Sequence, residues 1–183
     1  GGMIADKFTG YRKAILWGAL IMTLGHASMA LEGSSKTFFF IGLVLMILGN
    51  GMFKPNISSM VGQLYPDTSA KKDAGYTIFY MGINSGAFLG MLLCGYIGEK
   101  VGWHYGFGLA GVFMFFGMIQ FYFGQKIFGV IGEKPGTVHA PEEHVHNIQE
   151  EDHTPKNIVR DRLIVVAVLM IASIFFFFAF EQA

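Results

Sequence analysis

The chain is poor in cysteine and in charge. Its 183 residues include one cysteine, and only 14% of them are charged. A lone Cys94 cannot build a disulfide framework within the chain, and its apolar setting favours simple packing. Sparse charge combined with 52% hydrophobic residues is unusual for a soluble domain. The composition therefore indicates a membrane protein.

Motifs of catalysis and cofactor binding are also lacking. No nucleophile lies beside a base, no metal-ligand spacing occurs within an apolar stretch, and no glycine-rich phosphate loop precedes a helix. Four histidines in the segment 131–161 form a loose polar tract, without the regular spacing of metal ligands. We therefore expect no enzyme, no metal site and no other cofactor. The net charge of zero gives no indication of a nucleic-acid partner.

Five long apolar stretches are present instead, at 14–31, 37–65, 74–97, 103–128 and 163–183. Each is long enough to cross a hydrocarbon core of roughly 30 Å as an α-helix. The sequence thus predicts an all-α, multi-pass protein of the lipid bilayer. The chain opens without a methionine and stops inside the last stretch, so we expect an excerpt of a longer protein.

Basic residues are unevenly distributed between the connecting segments. If the five helices alternate in direction, one side of the membrane carries only Lys36 and Lys100, and the other side carries the remaining clusters. The residues on the richer side are Lys7, Arg12, Lys13, Lys71, Lys72, Lys126, Lys134, Lys156, Arg160 and Arg162. The positive-inside rule predicts that this richer side is cytoplasmic. The polar segment 131–161 is then predicted to be a solvated cytoplasmic linker.

Lys54 is the most informative residue of the second stretch. It lies close to the middle of a run that would be about 42 Å long as a helix. An ammonium at that depth costs roughly 2.5 kcal/mol or more to insert, so an ionisable residue there indicates function. Pro55 removes a neighbouring backbone hydrogen bond, and a kink or local loosening is expected. Asn56, Ser58 and Ser59 could satisfy the freed carbonyls or face a cavity.

Small residues recur every four positions in the third stretch, as Gly82, Gly86, Gly90, Cys94 and Gly98. Such a ridge lets another helix approach closely. Three polar residues, Tyr76, Tyr80 and Asn84, have the same spacing on a face about 200° away from the ridge. We expect one face to pack and the other to line a cavity. The tyrosines alone could instead serve as hydrogen-bonding groups between helices.

Glu181 places a carboxylate in the last apolar stretch, opposite in sign to Lys54. A buried carboxylate that exchanges a proton near a cation is a minimal device for coupling proton flow to movement. We therefore predict that Glu181 is the titrating group. The alternative stays open, because Glu181 lies about 28 Å along a helix from Arg162 and need not meet Lys54.

Four segments together resemble one transporter family. Residues 2–13 resemble a loop between helices two and three in which an acid and basic residues lock the cytoplasmic side. Residues 51–58 and 79–86 are similar to helix-four and helix-five motifs, and residues 180–182 are similar to a helix-seven ending. The chain therefore resembles the proton-dependent oligopeptide transporters of the major facilitator superfamily.

The resemblance implies the major facilitator superfamily fold, covered from roughly the end of helix two to most of helix seven. Residues 1–130 would belong to the N-terminal six-helix bundle, 131–161 to the linker, and 162–183 to the first helix of the C-terminal bundle. The implied function is proton-coupled import of di- and tripeptides by alternating access across the cell (inner or plasma) membrane. Protons would be the coupling ion, without a cofactor.

The resemblance also implies roles for individual residues. Lys54 and Glu181 would take part in substrate binding and proton coupling, and Tyr80 and Asn84 would contact the peptide. The implied cytoplasmic gate consists of Asp6, Lys7, Gly10, Arg12 and Lys13. We add the hypothesis that Tyr76 helps to line a roomy, aromatic pocket.

Three questions stay open at this point. A related transporter of nitrate or of a drug-like anion would use the same fold. A non-transporting helical membrane subunit is the alternative from a different class, although the cost of placing Lys54 and Glu181 in apolar stretches argues against it. The oligomeric state is unknown, with a monomer among the possibilities.

Overall fold

The computed structural model describes residues 2–65, 70–129, 131–133 and 156–180, and every regular element in these ranges is helical. A short helix, Gly2–Ile4, leads into a π-helical turn, Ala5–Thr9. The five longer helices are α1, Tyr11–Ala30; α2, Lys36–Gln63; α3, Ala70–Gly90; α4, Trp103–Gly124; and α5, Lys156–Phe180. The predicted helices are confirmed.

Two helices are prolonged by irregular turns. Helix α3 continues through the π-helical turn Met91–Gly95 into the α-helical segment Tyr96–Lys100, and α4 continues into the 3₁₀ turn Gln125–Ile127. Helix α5 begins at Lys156, inside the segment predicted to be a linker. Its first turns are polar, and a hydropathy pattern cannot detect a helix that starts before its apolar part.

Three helical segments are long and apolar enough to cross a membrane, namely Lys36–Gly62, Lys71–Lys100 and Trp103–Ile127. The apolar part of α5, Leu163–Ala179, is shorter. Helix α1 is 20 residues long but is not among the three. It carries Arg12, Lys13 and His26, which reduce its apolar character. Of the five expected spans, three are therefore confirmed by length and composition.

Helices α1 and α2 form an antiparallel pair held by glycines on both partners. A Cβ added at Gly18 would lie 2.8 Å from the carbonyl oxygen of Gly49, and one added at Gly25 would lie 3.1 Å from that of Gly42. We call these four glycines the hairpin seam. Each pair brings backbone against backbone, a contact that any side chain would prevent.

Helix α3 packs against α5 along the predicted ridge. Gly82, Gly86 and Gly90 are buried, and an added Cβ at each would collide with α5. The α5 residues they contact are Met170, Ile174 and Phe178. We call these contacts the ridge seam. From one contact to the next, the residue number rises by four on both helices, so α3 and α5 are parallel. The predicted packing ridge is confirmed.

Helix α4 joins the two pairs, because it packs against both α1 and α5. Gly111 of α4 faces His26 of α1, and Gly117 faces Phe175 of α5. The contacts between the helices fix their relative directions. Helices α1, α3 and α5 begin at one end of the bundle, and helices α2 and α4 end there. We call it the basic end. It carries Arg12, Lys13, Lys71, Lys72 and Lys126.

Candidate functional site

The helix around Lys54 remains α-helical across Pro55, from Lys36 to Gln63. Asn56, Ser58 and Ser59 each donate a side-chain hydrogen bond to the carbonyl four residues earlier, at 2.5, 3.3 and 2.9 Å. These polar groups therefore bond to the carbonyls of their own helix. Such bonds supplement the backbone ladder beside a proline that lacks an N–H group.

Lys54 has an exposed side chain that lies beside α5. Its Nζ atom is 5.7 Å from the centroid of the Phe177 ring, a geometry that allows a cation–π contact. At the neighbouring position, Phe53 stacks on Phe176 with ring centroids 4.3 Å apart. Glu181 follows Phe177 by four residues in sequence but lies outside the described residues. Its pairing with Lys54 stays a prediction.

Tyr76 reaches from α3 to α2. Its half-buried hydroxyl donates a hydrogen bond of 3.4 Å to the carbonyl of Ser58. Gly62 leaves the necessary space, since a Cβ there would lie 2.7 Å from the Tyr76 hydroxyl oxygen. Tyr76 also stacks on Tyr80, with ring centroids 6.3 Å apart. Tyr76 thus makes the interhelical hydrogen bond that is the alternative to a cavity-lining role.

Tyr80 and Asn84 lie on the face of α3 that does not pack. Tyr80 is 52% exposed, Asn84 is also exposed, and the Asn84 side chain donates a 3.0 Å hydrogen bond to the Tyr80 carbonyl. The glycines of the ridge seam are buried on the other side of the same helix. The packing face is therefore confirmed and Tyr80 and Asn84 are exposed on the opposite side, but the cavity that this polar face was expected to line stays a prediction.

The contact between Tyr76 and Ser58 sets the register of α2 against α3. Helix α2 runs toward the basic end, and α3 runs away from it. One helical turn from this contact, in the direction away from the basic end, therefore leads to Lys54 on α2 and to Tyr80 on α3. Asn84 lies one turn further. The fold therefore places an exposed cation and an exposed phenol at the same depth in two candidate membrane spans.

The gate motif surrounds the start of α1. Gly10 is buried at φ +76°, a conformation that favours glycine, and its N–H donates to the Ala5 carbonyl at 2.9 Å. Lys7 and Lys13 are exposed. The Asp6 side chain lies outside what the structure describes. The gating role of this motif stays a prediction.

Arg12, the remaining residue of that motif, points to the turn that follows α4. Its Nε donates to the carbonyl of Ile131 at 2.6 Å, and Nη2 donates to that of Gly129 at 2.5 Å. Nη1 lies 3.4 Å from the Glu133 carboxylate, and the guanidinium is 5.7 Å from the Phe128 ring centroid. Sequence reasoning did not predict these partners. The glycines of the 129–133 segment were the available signal.

His26 is a second residue that sequence reasoning missed. It lies on α1, faces Gly111 of α4 and is fully buried. Neither of its ring nitrogens has a hydrogen-bond partner among the described residues. The signal was the one that identified Lys54, an ionisable residue within an apolar stretch.

No group of three His, Cys, Asp or Glu residues in the described ranges could hold a metal ion. The histidines of the predicted linker, at positions 139, 144, 146 and 153, lie outside the described residues.

Comparison with known proteins connects this geometry to one family. The POT family model, PTR2, matches residues 12–148. The peptide transporter YePEPT of Yersinia enterocolitica is 44% identical over 122 residues, which are 66% of this chain and 24% of that protein. A di-/tripeptide transporter of Lactococcus lactis subsp. lactis is 34% identical over 100% of this chain and 34% of its own length.

Solved structures give the same result. A peptide transporter POT in complex with sulfate has a TM-score of 0.69 and 42% identity, and the match covers 73% of this chain and 27% of that one. A POT family transporter in complex with 5-aminolevulinic acid has a TM-score of 0.65 and 36% identity, over 73% and 28% of the two chains. The present chain spans about a quarter to a third of the length of the curated relatives it matches.

Proposed function

Because the chain belongs to the POT family of transporters, we propose that it forms part of a proton-coupled symporter that imports di- and tripeptides by alternating access. The family and the relatives are transporters rather than enzymes. The protein is a multi-pass membrane protein. We further propose that it resides in the cell membrane with its basic end in the cytoplasm, as the distribution of Lys and Arg favours.

The observation that carries the proposal is the position of Lys54. Its ammonium is exposed within a candidate membrane span, at the depth of Tyr80, and lies beside Phe177. Ionisable residues within membrane spans are rare and typically mark substrate or proton pathways. A carboxylate ligand would be attracted to this ammonium, because an ion pair away from water is stronger than one in water.

The chemistry of a short peptide matches this arrangement. A dipeptide carries a carboxylate and an ammonium a limited distance apart, so Lys54 and Glu181 could complement its two ends. Asn84 and Tyr80 would contact the peptide, and Tyr76 would line the pocket. Protonation of Glu181 would change its interaction with the substrate or with Lys54, and so couple proton movement to transport.

The proposed domain arrangement follows the same scheme. Residues 1–130 would form part of one bundle, 131–161 the connection, and 162–183 the first helix of a second bundle, with the two halves rocking about the substrate. Within the described residues, α5 packs against α3 and α4. The gate motif, Asp6, Lys7, Gly10, Arg12 and Lys13, would close the cytoplasmic side.

A related substrate class is the second candidate. One structurally similar POT family transporter was solved in complex with 5-aminolevulinic acid. This small molecule carries an ammonium and a carboxylate, as a dipeptide does, so the same two charged residues could bind it. Uptake competition with dipeptides, tripeptides, 5-aminolevulinic acid and nitrate would separate the candidates. Nitrate lacks an ammonium and should compete poorly if Glu181 binds that group.

The decisive experiment uses the full-length protein in liposomes. Uptake of a labelled dipeptide would be driven by an inward proton gradient, with Lys54→Ala and Glu181→Gln alongside. Lys36→Ala is the matched control, because Lys36 is an exposed lysine at the far end of the same helix. We expect gradient-driven uptake in the parent and in the control. Lys54→Ala should abolish it, and Glu181→Gln should abolish it while retaining partial exchange or binding. Absence of peptide movement, or parent-like behaviour of both variants, would contradict the proposal.

A further inference from the structure

We propose that Arg12 is a positioning residue that, together with Gln63, anchors the turn after α4 to the basic ends of α1 and α2. This turn consists of residues 128–129 and 131–133. Its anchoring fixes the position of the backbone up to Glu133, within the segment predicted to be a linker. The consequence for turnover rests on the proposed transport function, whereas the anchoring itself does not.

The Arg12 side chain binds this turn through its whole guanidinium group. Two of its nitrogens donate to backbone carbonyls, those of Ile131 and Gly129, and a third lies 3.4 Å from the Glu133 carboxylate. The side chain is only 13% exposed. Carbonyls beyond a helix end lack intrahelical partners, and a planar guanidinium can bond several of them at once. A lysine ammonium does not have this fork-like geometry.

A second tie comes from α2 and does not involve the Arg12 side chain. The N–H of Gly132 donates to the Gln63 side-chain oxygen at 3.0 Å. The Gly132 carbonyl accepts the backbone N–H of Arg12, also at 3.0 Å. Gly132 is thus bound through both of its backbone groups, once to each helix. It adopts φ +76°, and a Cβ there would lie 3.1 Å from both Arg12 Cγ and Met60 Sδ.

Together these bonds connect three helix ends. Helix α1 begins at Tyr11, α2 ends at Gln63, and α4 reaches the turn through Phe128. If transport proceeds by rocking of two halves, this connection keeps one half rigid at the point where the linker starts. Arg12 would then act on the rate of the conformational cycle and not on substrate affinity, because Lys54 lies more than two helical turns from Gln63 along α2.

Hydrogen exchange on the full-length protein in lipid nanodiscs tests the anchoring directly. The variants are Arg12→Lys, Arg12→Gln and Gln63→Leu, and Lys126→Gln is the control because Lys126 is an exposed cation near the same turn. Loss of one anchoring bond should raise the exchange rate of peptides covering 128–133 about tenfold. Peptides around Lys54 should keep the parent rate. Parent-like exchange at 128–133 in both Arg12→Lys and Gln63→Leu would overturn the proposal.

Transport kinetics test the consequence for turnover. We expect Arg12→Lys and Gln63→Leu to lower kcat several-fold while KM and the Kd of a dipeptide remain unchanged. Gln63→Leu is informative because Gln63 is not part of the predicted gate motif and offers a second route if an Arg12 variant fails to fold. Unchanged kcat in Gln63→Leu, or a loss of dipeptide affinity in either variant, would overturn the positioning role. A protein that moves no peptide would refute the proposed function, and the exchange data would still decide the anchoring.

Discussion

The hairpin seam and the ridge seam bring helices together in different ways. In the hairpin seam both helices contribute glycines, and Gly18 and Gly25 of α1 face Gly49 and Gly42 of α2. In the ridge seam only α3 contributes glycines, and α5 presents larger residues, which contact Gly82 mainly through a side chain and Gly86 and Gly90 through the backbone. The first seam joins neighbours in sequence, whereas the second joins helices separated by more than 60 residues.

This difference shows which contacts depend most on shape. In lipid, burial of apolar surface does little to drive helices together, so association relies on close packing. A short connection, residues 31–35, keeps α1 and α2 close even when their packing is imperfect. Helices α3 and α5 have no such short connection. Substitutions in the ridge seam should therefore be the more damaging.

Gly86→Ala should have the largest effect. The new methyl group would collide with the carbonyl oxygen of Ile174 and approach its Cα to 2.8 Å, and a backbone cannot move aside as a side chain can. We expect the free energy of unfolding of the full-length protein in detergent to fall by about 1–3 kcal/mol. Ser85→Ala, at the adjacent exposed position, is the control. Equal stability of the two variants would contradict the ridge seam.

Gly18→Ala should be the next most damaging change. Its Cβ would lie 2.8 Å from the Gly49 carbonyl oxygen and 2.9 Å from the Phe53 nitrogen. We expect a loss of about 1–2 kcal/mol in the same unfolding experiment. Gly51→Ala is the matched control, because a Cβ added at Gly51 would meet no atom of another helix within 4 Å. Alanine there also favours the helix by up to about 1 kcal/mol. If Gly51→Ala proved the more damaging of the two, the hairpin seam would be placed wrongly.

Gly82→Ala should cost less than Gly86→Ala within the same seam. Its Cβ would meet mainly the side chain of Met170, with the Met170 carbonyl oxygen farther away at 3.2 Å. Methionine is flexible and can adopt another rotamer. We expect a loss below about 1 kcal/mol in thermal unfolding. A loss equal to that of Gly86→Ala would mean that contact with the backbone does not distinguish the two positions.

Ser173→Ala should have the smallest effect, and the opposite sign. Ser173 is buried on α5, and its hydroxyl oxygen has no partner among the described residues. Removing a buried, unsatisfied hydroxyl should leave the stability unchanged or raise it by up to about 1 kcal/mol. Ser85→Ala again serves as the exposed comparison. A marked loss of stability in Ser173→Ala would contradict this expectation and reveal a partner for the hydroxyl.

Local pattern predicted the helices and the ridge well. An apolar stretch bounded by polar residues indicates a helix through its own composition, and glycines spaced by four appear on one face whatever the partner is. The ridge was therefore visible in the sequence, although α5 as its partner was not. The depth of Lys54 followed for the same reason, since position along a helix depends only on counting residues.

Contacts between distant residues were the part that could not be predicted. The seven-residue spacing of glycines in α1 and α2 matters only because the two helices are antiparallel in one particular register. Arg12 was assigned to a gate by its motif, but its partners lie more than 110 residues away, in a turn with little pattern of its own. His26 was missed because its burial depends on where α4 packs.

The sequence by itself determined that the chain is helical, that its basic residues favour one side, and which family it belongs to, because these properties depend on composition and local order. The tertiary structure decided which glycines meet, that Tyr80 lies at the depth of Lys54, and that Arg12 binds the turn after α4. These outcomes depend on the register between helices. Register is set by the fit of one surface against another, a long-range property that no single segment contains.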